Sequence, residues 1–209
     1  EGKWLSYYWN KQLKKSIQYK NGLPEGEWIY YYANGQCKIK AFYKNGLLEG
    51  EQLYYAENGD IIQKEFYKGG LLDGNISFYD HKKKTFNTSI YKNGKLNGKA
   101  MVYLNGILVK EIFYKDGKFN GEYKIYYNDS KLYKKRNYEN GIAKGNFITY
   151  FPSGKIMTKG VYKNGENNGT YTSYSEDGKI VKNANMNNGV VDVTITYYDS
   201  NGNKKNQSL

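Results

Sequence analysis

The stretch YKNGLPEGEWIYYYANG, residues 19–35, decides the fold. Asn21-Gly22 is a two-residue hairpin turn, because a type I′ turn demands positive φ at both central residues and Asn-Gly meets that demand at least cost. Gly26 follows four residues later. Glu27–Tyr32 is then rich in aromatic and β-branched residues, which favour strands, and Asn34-Gly35 turns the chain again. One β-hairpin is complete. No window of the chain holds a helical period, and glycine every few residues opposes one.

The same stretch is written along the whole chain. Tyr19-Lys20-Asn21-Gly22 recurs as Tyr43-Lys44-Asn45-Gly46, Tyr67-Lys68-Gly69-Gly70, Tyr91-Lys92-Asn93-Gly94 and Tyr114-Lys115-Asp116-Gly117. Tyr138-Glu139-Asn140-Gly141, Tyr162-Lys163-Asn164-Gly165 and Met186-Asn187-Asn188-Gly189 complete the series. Units thus begin near 19, 43, 67, 91, 114, 138, 162 and 186. Every step is 24 residues except one of 23, where the far-end turn Asn105-Gly106 is a residue shorter. The second glycine recurs at Gly50, Gly74, Gly98, Gly121, Gly145 and Gly169, until Val193 breaks the series. Five residues past that position stands a tyrosine each time, from Tyr7 to Tyr198.

The fold class that follows is all-β: an elongated, single-layer antiparallel sheet of stacked hairpins, solenoid-like, in one array over residues 1–209. About seventeen strands spaced about 4.8 Å apart predict a rod of roughly 80 Å. The two recurrent tyrosine series predict two ring ladders forming the core. The aromatics outside them, Trp4, Trp28, Tyr30, Tyr54, Phe78, Tyr123, Phe147 and Tyr171, fall mostly on the face opposite the Tyr7–Tyr198 series. Of these Trp28, Tyr54, Phe78, Tyr123 and Phe147 are the candidates for a partner surface.

The pattern Y-K-N-G-x-x-x-G-x-x-x-x-Y, with N-G or D-G some four residues on, resembles the MORN repeat. It is most similar to the bacterial variant in proteins labelled YwqK-like antitoxins, over about eight and a half units from Gly2 to Gly202. The resemblance implies a twisted sheet of hairpins that binds proteins or membranes, without catalysis.

Composition narrows the chemistry. The 209 residues include 25 tyrosines and 24 glycines but one cysteine and one histidine. That excludes a disulfide framework, cysteine-ligated zinc and multi-histidine metal sites. We expect no catalytic residue, no metal and no cofactor. His81 occupies a turn and Cys37 opens a strand with no histidine near it in sequence. The acids around the second glycine, Glu25, Glu27, Glu49, Glu51, Asp73 and Glu122, read as charge pairs with the turn lysines.

The net charge of +12 is local. Residues 1–80 hold 10 basic and 10 acidic side chains, residues 81–163 hold 18 and 5, and residues 164–209 hold 4 and 5. The basic stretch contains Lys82, Lys83, Lys84, Lys110, Lys124, Lys134, Lys135 and Arg136. It reads as lysine that keeps a large exposed sheet soluble and guards it from edge pairing, or as a surface for another, acidic protein, or alternatively for an anionic membrane. Single-stranded nucleic acid is a weaker expectation, because Arg136 is the only arginine and the guanidinium fork is favoured for phosphate and base recognition. The C-terminal unit 186–209 reads as a polar cap. The N-terminus opens in mid-repeat, which predicts truncation of a longer chain, and its raw edge could pair with a second copy. Neither a cytoplasmic nor an exported location is indicated.

Overall fold

The computed structural model describes residues 1–205, apart from the side chains of 192–194, and it is all-β, with no helix among the described residues. The polar tail beyond Lys205, part of the expected cap, lies outside the described residues. The chain divides into two compact units. The first holds residues 1–100 and 104–106, the second residues 101–103 and the chain from Ile107 on.

The first unit contains β1 (Gly2–Tyr7), β2 (Leu13–Lys20), β3 (Leu23–Tyr31), β4 (Cys37–Lys44), β5 (Leu47–Leu48), β6 (Gly50–Tyr55), β7 (Ile61–Lys68), β8 (Leu71–Leu72), β9 (Gly74–Asp80) and β10 (Thr85–Lys92). The division falls within β11 (Lys95–Leu104). The second unit contains β12 (Ile107–Lys115), β13 (Lys118–Tyr126), β14 (Leu132–Glu139), β15 (Ile142–Tyr150), β16 (Ile156–Lys163), β17 (Glu166–Asn167), β18 (Gly169–Tyr174), β19 (Ile180–Asn187), β20 (Val190–Tyr198) and β21 (Lys204–Lys205). Within each unit the long strands pair antiparallel with their neighbours in the chain, as a meander of hairpins does.

The turns are those the sequence demands. Asn21 and Gly22 have φ of 50° and 76°, the type I′ signature. The far-end turns differ: each five-residue loop needs a single left-handed residue, which is Gly35 in one repeat and Lys11 or Ser130 in others. The second glycine has its own reason. It sits in a bulge where the strand after the turn gains two residues on its partner, so Ile17 faces Trp28 while Tyr19 faces Pro24. At Gly74 φ is 133° and an added Cβ would lie 3.0 Å from the Phe66 Cβ. The bulge also interrupts strands before Gly50, Gly74 and Gly169, which explains ladder segments beyond the seventeen strands expected.

Register puts the core on one face. Two residues before each turn tyrosine runs a column of Ile17, Ala41, Glu65, Ser89, Ile112, Arg136, Gly160 and Ala184. Ile17 is 1% exposed, and Ala41, Ile112 and Ala184 are also buried. Rings cover them: Trp28 lies 4.5 Å from Tyr43, and Phe147 lies 4.8 Å from Tyr162. This corrects the expected ladder of turn tyrosines. Successive repeats are two strands, about 10 Å, apart, too far for ring to touch ring. Tyr19, Tyr43, Tyr138 and Tyr162 instead pack on a non-repeating aromatic of the neighbouring strand.

Hydroxyls tie one hairpin to the next. Tyr8, Tyr32 and Tyr127 donate to the carbonyls of Tyr31, Tyr55 and Tyr150 at 2.7, 2.7 and 2.6 Å. Tyr32→Phe is therefore expected to lower stability by about 1 kcal/mol without loss of fold, read as a lower urea midpoint at unchanged slope.

Candidate functional site

In the second unit β12, β13 and β14 sort the basic residues by face. Lys110 pairs across with Ile125 and Ile125 with Lys134; one row along, Ile112 pairs with Tyr123 and Tyr123 with Arg136. These share the face of the turn tyrosines. Glu111, Lys124 and Lys135 form the row between, whose side chains point the other way. The run Lys134-Lys135-Arg136 is thus split between faces by strand alternation.

The two faces differ in charge balance. On the far face Lys124 is neutralised, its ammonium 2.5 Å from Glu122 and 3.9 Å from Glu111. On the ring face no ion pair to Lys110, Lys134 or Arg136 is found among the described residues. The Arg136 guanidinium lies 4.8 Å from the Tyr123 ring centre and 4.9 Å from that of Tyr138. Its Nε is buried without an acceptor. The two rings, themselves in edge contact at 5.9 Å, attract this cation through their π faces and leave its charge uncompensated. Burial lowers the Lys134 pKa and the Arg136 charge adds to that, as a neighbouring like charge must.

Lys82, Lys83 and Lys84 belong to the first unit, in the exposed turn joining β9 to β10. Asp80 orders that turn, accepting from the Lys83 amide at 3.0 Å. His81 stands edge-on to Tyr79 at 4.3 Å. The basic stretch is thus shared between the two units, Lys82–Lys84 in the first and Lys110, Lys124, Lys134, Lys135 and Arg136 in the second.

The candidate aromatics also separate. Phe78 is 40% exposed, while Trp28, Tyr54 and Tyr123 are half-buried. Phe147 is only 5% exposed, between Tyr162 and Tyr171. Its ring fills the space left by Gly160, so it is packing and offers no partner surface.

Residues that sequence reasoning missed sit on β6 and β7. Gln52 pairs with Glu65 and Tyr54 with Gln63, with Tyr67 next on the same face. The Glu65 carboxylate accepts from Tyr67 Oη at 2.9 Å, Tyr54 Oη at 3.2 Å and Gln63 Nε2 at 2.7 Å. Gln52 Nε2 donates to Tyr54 Oη at 3.0 Å, and Gln52 Oε1 is buried without a donor. The available signal was a carboxylate in a column that, Arg136 aside, is small or apolar. Burial, reinforced by Glu65, pushes the Tyr54 phenol up to about 12 from 10.0. Tyr67 is raised as well, by burial and its hydrogen bond to Glu65. A phenol raised above its unfolded value contributes stability that is complete below pH 10 and lost as pH climbs through about 12. Glu65→Gln is expected to move these late phenols to lower pH in a titration of phenolate absorbance.

The acids beside the second glycine correct another expectation. Glu25, Glu49 and Asp73 do not pair with turn lysines. Each accepts from a backbone N–H of the next repeat's turn, at Asn45, Gly69 and Asn93, over 2.6, 2.8 and 3.1 Å. A turn with two left-handed residues leaves that N–H outside the ladder, and the nearest oxygen takes it. Glu27 and Glu51 pair with the strand lysines Lys40 and Lys64. Burial pushes the Cys37 thiol up, which disfavours the nucleophilic thiolate. No group of three or more metal-ligating side chains exists among the described residues.

Stacked hairpins that present fixed rings and charges along a face make a repeat-based interaction module. The model of the MORN repeat variant matches residues 1–21, 24–45, 48–68, 119–140, 144–164 and 167–188, more than half of the chain. The chain belongs to this family, whose repeats are generally non-catalytic binding elements. The interval between the third and fourth matches holds the Lys82–Lys84 turn and the shortened Asn105-Gly106 loop. No curated protein sequence matches the chain. Among solved structures, a chain of the GtfA/B complex is 10% identical with a TM-score of 0.20, over 48% of this chain and 18% of that one. A chain of the TcdB2-TccC3-Cdc42 structure is 12% identical with a TM-score of 0.23, over 93% and 14%. This chain thus spans less than a fifth of either, and at such TM-scores neither likeness bears on function.

Proposed function

We propose that the protein is a non-enzymatic binding module that takes an acidic segment of another protein on the ring face of its second unit. The observation that carries this reading is Arg136, held against the rings of both Tyr123 and Tyr138 with its Nε buried and no acceptor. A guanidinium held against two rings is prepared for a carboxylate, since less side-chain freedom is left to lose on binding. Lys134 and Lys110 flank the neighbouring row without a carboxylate between them. An antitoxin-like role, with a toxin as the acidic partner, is one form of this reading.

The test is calorimetry of the whole protein with an acetylated hexaglutamate peptide, phosphatidylserine vesicles and an oligothymidylate, at low and near-physiological salt. Saturable binding of the peptide, weakening with salt, is expected. Vesicle binding without peptide binding would replace this reading with the membrane one, and oligothymidylate binding alone would replace it with the nucleic-acid one.

A further inference from the structure

The charged column position of the first unit, Glu65, is surrounded by neutral side-chain donors. Its carboxylate is fixed by Tyr54, Tyr67 and Gln63. Those three donors use three of roughly four acceptor positions on a carboxylate. No ion pair to Glu65 is found among the described residues. The adjacent lysine, Lys64, points to the opposite face and pairs with Glu51. Next to the carboxylate, Gln52 holds a second acceptor, Oε1, buried and without a donor. Tyr54 and Tyr67 bring their rings to the same spot. Tyr67 stands opposite Gly50, where a side chain would meet nothing within 4 Å, so the site is open on that side. Half-buried carboxylates in folded proteins are usually paired with a cation. Here neutral donors hold the anion in place and its counter-charge is missing.

We propose that Gln52, Tyr54, Gln63, Glu65 and Tyr67 form a binding site for the guanidinium of an arginine side chain on a partner polypeptide. A guanidinium carries five N–H donors in a planar fork. It can donate to the remaining Glu65 lone pair, and to Gln52 Oε1 once that amide, buried in the free chain, turns toward it, while its face lies against tyrosine. A carboxylate-bearing or neutral ligand is disfavoured, because it would leave Glu65 uncompensated. The site lies in the first unit and stands whether or not the second unit takes an acidic segment.

The experiment is a titration of the isotopically labelled full chain with the blocked tripeptide Gly-Arg-Gly, followed by NMR. Matched peptides carry citrulline, the neutral isostere, or glutamate in place of arginine. The arginine peptide is expected to move the Gln52 and Gln63 side-chain amides and the Tyr67 backbone signal saturably. Citrulline should bind at least about tenfold more weakly, and glutamate not at all. Glu65→Gln should abolish the shifts while Arg136→Gln leaves them intact, which separates this site from the second unit's. Equal shifts from citrulline, unchanged binding in Glu65→Gln, or no saturable shift from the arginine peptide would each overturn the assignment. Should Glu65→Gln fold poorly, Gln52→Leu removes the Oε1 acceptor together with the Nε2 donor to Tyr54 while leaving Glu65 in place. It should weaken binding several-fold, and undiminished binding in that variant would overturn the site equally.

Discussion

Phe147→Ala is expected to destabilise the protein by about 3–5 kcal/mol, the usual range for emptying a buried phenylalanine site. The ring is 5% exposed and lies 4.8 Å from Tyr162 and 6.3 Å from Tyr171. A single-layer sheet has few such residues, so there is no second layer to collapse into the space. Gly160 provides an internal control. It lies across from Phe147 without a left-handed φ, yet a Cβ there would come within 2.6 Å of the Phe147 ring. In the wild-type background Gly160→Ala should therefore push the ring and lower stability by about 1–3 kcal/mol, as overpacking does. In the Phe147→Ala background the same methyl enters vacated space and should raise stability instead. Urea unfolding of the two singles and the double completes the cycle. Equal effects of Gly160→Ala in both backgrounds would mean that ring and glycine do not share one packing site.

The second large effect concerns binding. Arg136→Gln is expected to weaken hexaglutamate binding by about tenfold or more, since a charge-assisted hydrogen bond contributes roughly 1.5–3 kcal/mol. The triple variant Lys82→Gln, Lys83→Gln and Lys84→Gln removes three charges and should cost less than that single change at near-physiological salt. Those lysines are exposed in a turn, and exposed, flexible ammonium groups are screened. Lys135→Gln serves as a neighbour control, because its side chain leaves from the opposite face. A larger loss from the triple variant than from Arg136→Gln would show that net charge, not the stacked guanidinium, governs binding.

These expectations rest on features of unequal visibility in the sequence. The turns were legible because Asn-Gly meets a backbone demand that few dipeptides meet, and Asn21-Gly22 adopts it with both φ values positive. The facing of Trp28 and Tyr123 against the Tyr31 and Tyr126 series followed from strand alternation alone. The ladder of turn tyrosines did not hold at Tyr19, Tyr43, Tyr138 and Tyr162, because periodicity puts equivalent residues in line without bringing them within reach. Contact depends on what the intervening strand places in the gap. The Glu65 cluster was hidden for a related reason: the register of the β6–β7 hairpin shifts between Tyr54 and Tyr55 beside the far-end loop, so the pairing of Gln52 with Glu65 cannot be counted from that loop. The acids Glu25, Glu49 and Asp73 suggested lysine partners by charge, whereas the strained turn's free N–H lay closer. The run Lys134-Lys135-Arg136 looked like one patch only until alternation divided it.

The account stands most directly on where an acidic segment docks. Amide shift mapping of the labelled full chain with hexaglutamate should place the largest perturbations at Tyr123, Lys134, Arg136 and Tyr138, with Lys124 and Lys135 little changed. Perturbations concentrated at Lys82–Lys84, spread evenly over lysines of both faces, or missing altogether would contradict it.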